Sequence, residues 1–346
     1  MDKMLVSVGG RNYSGWKNIS VRASMESLAH GFQVSLADIG PTDISKIIPG
    51  EPLTLIVDQD GFQTTVFSGF VDDRNRTRAG GNTSLEITGR SKTADLVDCS
   101  AIYGNNTFIE IDFTKMAEQL AKPFGIKVVS YLDPGEKIKN YTIKNGASVF
   151  SVLEENARKV GALLSTNWDG DLVLSYADAA LRSDADLVDG VNVQKLSEKW
   201  SAKKRHSKYI FKGQATVAGG KPWESDQTIA IKKEANDPGV TRYRPKIVTP
   251  SGKMNATELQ QTANWEAQVR TGRSKYYVAE VDGWFQGTTG QPWQINSVAN
   301  LYSSDFEVDT LFLITEVEFT KDEKGTTSSI TLKDPRTYRE KPEGGF

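Results

Sequence analysis

The sequence is poor in the residues that form disulfides and metal sites. Its 346 residues include one cysteine and two histidines. Cys99 has no second cysteine to pair with, and we expect it to be a small packed side chain. His30 and His206 lie in unrelated sequence surroundings, without a cluster that has metal-ligand spacing. We therefore predict no disulfide, no metal site and no cofactor.

Long apolar runs and an excess of basic charge are also missing. No run reaches the roughly 18 apolar residues of a transmembrane helix, and the N-terminus lacks the apolar segment of a secretory signal. The 42 basic and 44 acidic side chains give a net charge of −2. A DNA-binding protein normally carries a basic excess, because neutralising phosphates supplies most of its affinity. We predict no membrane association, no DNA coating, and assembly in a reducing cytoplasm.

Known catalytic motifs are absent or incomplete. No serine has the flanking glycines of a nucleophile elbow, and the Gly-Lys pair at 220–221 is followed by proline where a phosphate-binding loop needs serine or threonine. Glu110 with Asp112, and Glu154 with Glu155, could serve a glycosidase only if folding placed a pair about 5–10 Å apart in a cleft. Surface charge explains both pairs better. We predict no catalytic residues and no enzymatic activity.

The chain begins and ends in β-like sequence, with an α+β part between. Short apolar runs in the first hundred residues, separated by glycine-containing turns, predict a small barrel or sandwich. Helical spacing predicts a helix over 114–124 with Thr114 as its N-cap, and another over 148–160 ending at Gly161. A hairpin turn is predicted at 169–171.

Strand-like sequence returns from about residue 186. One helix is predicted over 256–271, with Thr257 and Gln260 forming a capping box. The stretch 217–250 contains glycine and proline and is predicted to form exposed loops.

Two hairpins echo each other at opposite ends of the chain. Residues 69–91 and 314–335 each contain a strand, a polar turn and a second strand of similar pattern. The echo indicates a duplicated β domain, although many hairpins resemble one another.

Basic residues are densest at 199–208. The run could meet an acidic partner or line a nucleic-acid passage, but we interpret it as a solvated loop or edge strand, where charge prevents unwanted pairing. Tryptophans are expected mostly in cores, with some anchoring subunit contacts. Those weighed are Trp16, Trp200, Trp223, Trp265, Trp284 and Trp293.

Several segments together resemble one known family. They are GRSKTADLVDCSA at 89–101, VGGRNYSGW at 8–16, VDGW at 281–284 and LKDPRTY at 332–338. In this order they are similar to phage Mu-type, or P-like, baseplate hub proteins of contractile tails. The resemblance covers nearly the whole chain, and none of its motifs carries chemistry.

The resemblance implies a mainly β fold with an α+β part. Two small β-barrel-like domains are expected, together with a small α+β domain, an insertion with one helix and a C-terminal tail. The expected boundaries are 1–98 for the first barrel, 99–185 for the α+β domain, 186–225 with 272–338 for the second barrel, 226–271 for the insertion and 339–346 for the tail.

The resemblance also implies a structural function. Such hubs are expected to form homotrimers, whose six barrels make a pseudo-sixfold ring between the hexameric tail tube and the trimeric central spike. The expected partners are the tube ring, the spike and other baseplate proteins, with DNA only as passing cargo. The expected location is the tail baseplate of the virion.

Three alternatives stay open at this point. A less specific relative, such as a tube-end or type VI secretion hub component, would usually carry the spike domain in the same chain, and no repetitive β-helix sequence is seen here. A tail-associated peptidoglycan hydrolase would need a cleft with a perturbed carboxylate. A peripheral carbohydrate-binding protein would stack exposed aromatic side chains, such as Trp223 or Trp284, on sugars of the host surface.

Overall fold

The computed structural model divides the chain into two compact units. It describes residues 3–13, 15–37, 47–59, 62–80, 82–133, 135, 137–176, 181–217, 227–250, 254–287 and 290–338. The first unit comprises Met1–Leu196 and Val278–Leu332, and the second comprises Ser197–Tyr277 and Lys333–Phe346.

Seven strands open the first unit. Side chains alternate between the core and the opposite face, as in the third strand, where Ile19, Val21 and Ala23 are buried. The strands are β1 (Lys3–Val8), β2 (Arg11–Tyr13), β3 (Asn18–Ser24), β4 (Ser27–Ala37), β5 (Pro52–Gln59), β6 (Phe62–Ala79) and β7 (Asn82–Ser91).

The α+β part follows, and its helices bury an apolar stripe against short strands. Its elements are α1 (Ala94–Asp98), β8 (Thr107–Ile111), α2 (Phe113–Ala121), β9 (Val128–Ser130), β10 (Ile138–Thr142), α3 (Val149–Lys159), β11 (Leu163–Thr166) and β12 (Leu172–Ser175). The helix and hairpin predictions for this part are confirmed, with one exception. The N-cap of α2 is Asp112 rather than Thr114, because the Asp112 carboxylate accepts hydrogen bonds from two backbone N–H groups of the first turn.

The remaining elements are divided between the two units. They are β13 (Leu181–Arg182), β14 (Leu187–Val188), β15 (Val193–Trp200), β16 (Lys208–Val217), β17 (Gln227–Asn236), β18 (Pro245–Val248), α4 (Ala256–Gly272), β19 (Lys275–Asp282), β20 (Ser297–Ser303), β21 (Val308–Asp322) and β22 (Gly325–Lys333). The chain leaves the first unit within β15 and returns to it within β19.

The second unit contains a three-stranded sheet in the order β17-β16-β18, and α4 packs on one of its faces. Tyr209 and Phe211 of β16 meet Leu259 and Ala263 of α4 in a small core. Two predictions fail here. The stretch 217–250 contains two strands rather than loops alone. The capping box of α4 is formed by Asn255 and Glu258 rather than by Thr257 and Gln260, because the helix begins at Ala256 and Thr257 already lies inside its first turn.

The main sheet contains the same strand arrangement twice. Near its start the spatial order is β3-β4-β7-β6-β5, and near its end it is β15-β19-β22-β21-β20. In both sets the fourth and fifth strands along the chain, β6 with β7 and β21 with β22, form the long hairpins of the sequence echo. The two sets join where β3 pairs antiparallel with β21, with Val21 opposite Phe319. The repeated order supports duplication more strongly than the hairpin pattern alone.

The prediction of a mainly β protein with few helices is confirmed. Among the described residues, the hydrogen-bonded strand path of the main sheet runs from β15 to β2 and does not close into a barrel. Among the same residues, no helix is long and apolar enough to cross a membrane.

Candidate functional site

The signature segment 89–101 begins where β6 and β7 approach most closely. The register between these strands shifts between Val71 and Asp73, which marks a bulge. A Cβ atom on Gly69 would lie 2.0 Å from the carbonyl oxygen of Arg90, and one on Gly89 would lie 2.2 Å from that of Phe70. Both positions therefore require glycine.

Arg90 links the end of β7 to α1. Its Nε donates to Oδ2 of Asp72 at 2.7 Å, and its Nη2 donates to Oδ2 of Asp98 at 2.8 Å. The hydrogen bond from Arg90 lowers the pKa of Asp98, whereas burial and the nearby Asp98 charge raise the pKa of Asp95. The arginine sits between carboxylates and fixes the direction in which the chain leaves the sheet.

A buried chain of hydroxyl groups continues this junction. Oγ of Ser91 lies 2.8 Å from Oγ1 of Thr93, which lies 2.8 Å from Oγ1 of Thr166. The Thr166 hydroxyl also donates to the carbonyl oxygen of Leu28 at 2.6 Å. Since Thr93 is fully buried, these bonds satisfy groups that would otherwise be costly to bury, and they tie β4, α1 and β11 together.

His30 lies beside this chain of hydroxyls. Its backbone N–H donates to Oγ of Ser91 at 3.0 Å, and its ring bonds to the backbone of Thr166 and lies 5.1 Å from the ring of Trp168. His30 also lines a cavity of about 390 Å³, together with polar residues such as Asn296. Burial lowers the pKa of His30 to about 4, so the ring is neutral at pH 7.

The carboxylate pairs singled out in the sequence do not form a catalytic pair. Glu110 is exposed at the end of β8, whereas Asp112 caps α2. Glu154 pairs with Arg158 on the surface of α3, and Glu155 accepts from the Tyr141 hydroxyl at 3.1 Å. The cavity beside His30 is lined by one carboxylate, Asp169. A glycosidase needs two carboxyl groups facing one another, so this cavity does not fit that chemistry.

No metal centre is found in the part of the chain that the structure describes, since no group of three or more potential ligands lies together there. Cys99 is exposed, so its prediction as a packed side chain is wrong. The residue follows α1 directly, where the chain turns out of the helix into extended backbone.

Three family models match successive parts of this chain. The model for the Mu phage baseplate assembly protein GpP-like N-terminal domain matches residues 3–91, the baseplate hub protein gp44-like second domain matches 93–176, and the GpP fourth domain matches 255–341. Baseplate hub protein gp44 of Escherichia phage Mu is 31% identical over 330 residues, covering 93% of this chain and 85% of gp44.

The chain belongs to the gp44/GpP-like family of baseplate hub proteins. Membership confirms the resemblance recognised in the sequence. The signature segment spans the junction between the first two matched domains, and it contains Gly89 opposite the β6 bulge, the Arg90 side chain with its two carboxylate partners, and the buried hydroxyls of Ser91 and Thr93.

Solved structures agree with the family fold. The 43 kDa tail protein of prophage MuSo2 from Shewanella oneidensis has a TM-score of 0.83 at 28% identity, covering 98% of this chain and all of that protein. A tail protein from Neisseria meningitidis MC58 reaches 0.77 at 23% identity, with 99% of each chain covered. The type VI secretion component c3393 of E. coli reaches 0.58 at 9% identity, over 99% of this chain and 80% of c3393, a likeness of fold alone.

The tryptophans of this hub-family chain are mainly core residues. Trp284 is 1% exposed and stacks on Phe319 at 5.2 Å, so it cannot serve as a sugar-stacking surface. Trp223 lies outside the described residues. Trp168, which the sequence reasoning overlooked, is buried beside His30 and donates from Nε1 to the Trp293 carbonyl at 3.1 Å. Trp200 is 66% exposed. The expectation that some tryptophans anchor subunit contacts stays a prediction.

The interpretation of 199–208 as a solvated run is wrong for Arg205. Its guanidinium makes two hydrogen bonds to the Asp237 carboxylate, at 2.8 and 2.6 Å, and the two side chains are 10% and 3% exposed. Asp237 also accepts from the Gly239 N–H and the Thr271 hydroxyl. The partner lies 32 residues away along the chain, so no local signal in the sequence could have found it.

Acidification is expected to destabilise the first unit through His30. The unfolded-state pKa of histidine is about 6.5 and the folded value is about 4, so the unfolded state binds the proton more readily between these values. The contribution is fully present above about pH 6.5 and decreases as the pH falls. Between pH 7 and pH 5 we expect a loss of about 2 kcal/mol in the free energy of unfolding, measured by urea denaturation.

The His30→Gln variant should show a smaller change between these two pH values than the wild-type protein. Burial also lowers the pKa of His206. His206→Gln is therefore the comparison variant for the second unit, and it should reduce the pH dependence less than His30→Gln does, because the His206 side chain is less buried. An equal pH dependence for wild type and His30→Gln would show that His30 is not the titrating group.

Proposed function

We propose that this chain is a structural subunit of the central hub in a contractile tail baseplate. Three copies form a closed ring that adapts a hexameric tail tube to a trimeric central spike. The observation that carries the proposal is the repeated strand order, β3-β4-β7-β6-β5 and β15-β19-β22-β21-β20, within one chain.

The repeat supplies the symmetry that such an adaptor needs. Three chains with two similar halves present six similar surfaces to a sixfold ring. The differences between the halves leave a true threefold axis for a trimeric spike. A closed cyclic assembly also buries its binding surfaces, which is consistent with an almost neutral chain.

We propose that each half forms a barrel-like domain, as the resemblance implies. Strong strand twist would curl each set of five strands around its own apolar face. The domain boundaries expected from the sequence, 1–98, 99–185, 186–225 with 272–338, and 226–271, remain predictions.

The same proposal assigns the protein no catalytic step. It acts through permanent contacts with the tube ring, the spike and neighbouring baseplate proteins, and DNA passes it as cargo. Permanent assemblies of this kind rest on large interfaces, which need shape complementarity and no reactive group. The protein would then be found in the tail baseplate of the virion.

The mass of the purified protein tests the ring directly. Light scattering coupled to size exclusion is expected to give about three times 38.1 kDa over a wide range of concentrations. A recombinant spike added to the ring should co-elute with it in a ratio of three chains to three. A protein that stays monomeric both alone and with the spike would contradict the proposal.

A further inference from the structure

Charge is divided unevenly between the two units. The second unit, residues 197–277 and 333–346, contains 20 of the 42 basic residues and 10 of the 44 acidic residues. The first unit therefore contains 22 basic and 34 acidic residues. The formal net charges are +10 for the second unit and −12 for the first, although the whole chain carries only −2.

Part of the basic charge of the second unit lies on the side of its sheet that faces away from α4. On β16 the side chains of Tyr209 and Phe211 face α4, so Lys212 points to the opposite side, and Ile247 of β18 joins it there with 57% exposure. We call this side the basic face. Its members on the strands are Lys208, Lys212, Lys232, Glu234 and Ile247. We count with them the exposed Lys203, Arg242 and Tyr243 of the loops that lead into β16 and β18.

Two lysines of the basic face oppose each other directly. Lys212 of β16 is the register partner of Lys232 on β17, and like charges in this position destabilise a sheet. Lys232 pairs with Glu234 at 2.6 Å. Among the described residues, Lys203, Lys212 and Arg242 have no ion pair. Within the sheet, Glu234 relieves the repulsion at Lys232 only, and an acidic partner would supply the counter-charge for Lys212.

An acidic counterpart lies on the first unit. On the outer side of β20 and β21, Tyr302 and Leu311 are 47% and 43% exposed, and Asp309 is the register partner of Tyr302. Asp305 and Glu307 lie exposed in the turn between the two strands. We call these five residues the acidic face. Like the basic face, it mixes exposed apolar side chains with charges of one dominant sign.

We propose that the basic face of one copy docks on the acidic face of the next copy in the ring. This inference rests on the proposed ring function and names the surfaces that would close it. The two faces are different, so each copy would use one face for each of its two neighbours, which is the head-to-tail type of contact from which closed rings are built.

The composition of the basic face favours a protein occupant over DNA. A phosphate-binding surface gains nothing from the Glu234 carboxylate or from exposed Ile247 and Tyr243, the last being 92% exposed. Apolar side chains surrounded by complementary charges are typical of protein interfaces, where the charges fix register and exclude wrong partners. A second copy supplies both the apolar residues and the carboxylates.

Charge reversal tests the contact. The full-length K203E/K212E/R242E variant should dissociate at about 0.1 M NaCl, with the concentration at half-dissociation raised about 100-fold, as measured by light scattering. The matched control is K115E/K122E/K127E, which makes the same charge change at exposed lysines in and after α2. It should remain as large as the wild-type protein.

A charge swap identifies the occupant. The D305K/E307K/D309K variant should dissociate like the first variant. A single chain that carries all six substitutions, measured at the same concentration, should regain the mass of the wild-type assembly. Circular dichroism of each variant shows that it is folded. In about 1 M NaCl, where the Debye length is about 3 Å, all four variants should differ little from one another.

The outcomes separate this inference from the ring function. If the wild-type protein and its charge-reversed variants are all trimeric, these faces do not dock on one another. The proposed ring function is not affected by that result. If the charge-reversed variants dissociate and the combined variant does not regain the wild-type mass, the occupant of the basic face is not a second copy of this chain. That result points to another acidic partner. A wild type that stays monomeric at low salt, both alone and with the spike, overturns both the ring and its contact.

Discussion

Replacing Gly69 with alanine is expected to lower the free energy of unfolding by about 3 kcal/mol. The new Cβ atom would lie 2.0 Å from the carbonyl oxygen of Arg90 and 2.7 Å from the Cα atom of Ser91, both of which are backbone atoms. Neither can move by a change of rotamer, so β6 and β7 must separate at their bulge. The adjoining Arg90 would then be displaced from Asp72 and Asp98.

Gly31→Ala is the matched control for this substitution. Gly31 lies on the neighbouring strand β4 opposite Arg90, and a Cβ atom there would meet no atom within 4 Å. Alanine at this position should leave stability unchanged or raise it slightly, because it reduces the freedom of the unfolded chain. Urea denaturation followed by tryptophan fluorescence measures both variants, and equal midpoints would contradict the close-approach argument.

Replacing Asp237 with alanine is expected to cost the second unit about 3–5 kcal/mol. The substitution leaves the Arg205 guanidinium buried without its carboxylate, and it also removes the acceptor for the Gly239 N–H and the Thr271 hydroxyl. Amide hydrogen exchange resolves the effect by region. Protection should fall over β16, β17 and α4 and remain at the wild-type level in β3 to β7.

Two comparisons make this result specific. The double variant Arg205→Met with Asp237→Ala should lose less stability than Asp237→Ala alone, because no unpaired charge is then buried. Glu154→Ala breaks the exposed pair with Arg158 on α3 and should cost well under about 1 kcal/mol. If Asp237→Ala and Glu154→Ala lowered the free energy of unfolding equally, the burial of the Arg205–Asp237 pair would not explain its contribution to stability.

The pH dependence of the Asp237 effect has a defined sign. Hydrogen bonding by the Arg205 guanidinium holds the pKa of Asp237 below its usual value. A carboxylate of this kind stabilises the fold above the unfolded pKa of about 3.9 and loses its contribution as the pH falls through the folded value. The difference between wild type and Asp237→Ala should therefore be full at pH 7 and shrink below about pH 4.

Local signals in the sequence predicted local structure well. Ser148 and Gly161 bracket α3 as expected, since Ser148 accepts from a first-turn N–H and Gly161 adopts a positive φ. The N-cap of α2 was misplaced by two residues because both Asp112 and Thr114 are good caps. Only the end of β8 at Ile111, a tertiary feature, decides between them.

Features that depend on distant partners could not be predicted. Arg205 belongs by composition to an exposed basic run, and only folding brings Asp237 to it. The strand repeat is hidden in the sequence by an insertion. In the second set, β15 and β19 are separated by β16, β17, β18 and α4, whereas in the first set β4 follows β3 directly. The net charge of the chain likewise conceals two units of opposite charge, because the positive and negative contributions cancel in the sum over all residues.

The insertion between β15 and β19 has a consequence for how such genes diverge. Its two ends are held together by a backbone hydrogen bond of 2.8 Å from Ser201 N–H to the Ser274 carbonyl. A segment that starts and finishes at neighbouring points can be lengthened, shortened or exchanged by recombination without altering the strand register around it. Such an exchange would leave the strand order of the main sheet unchanged.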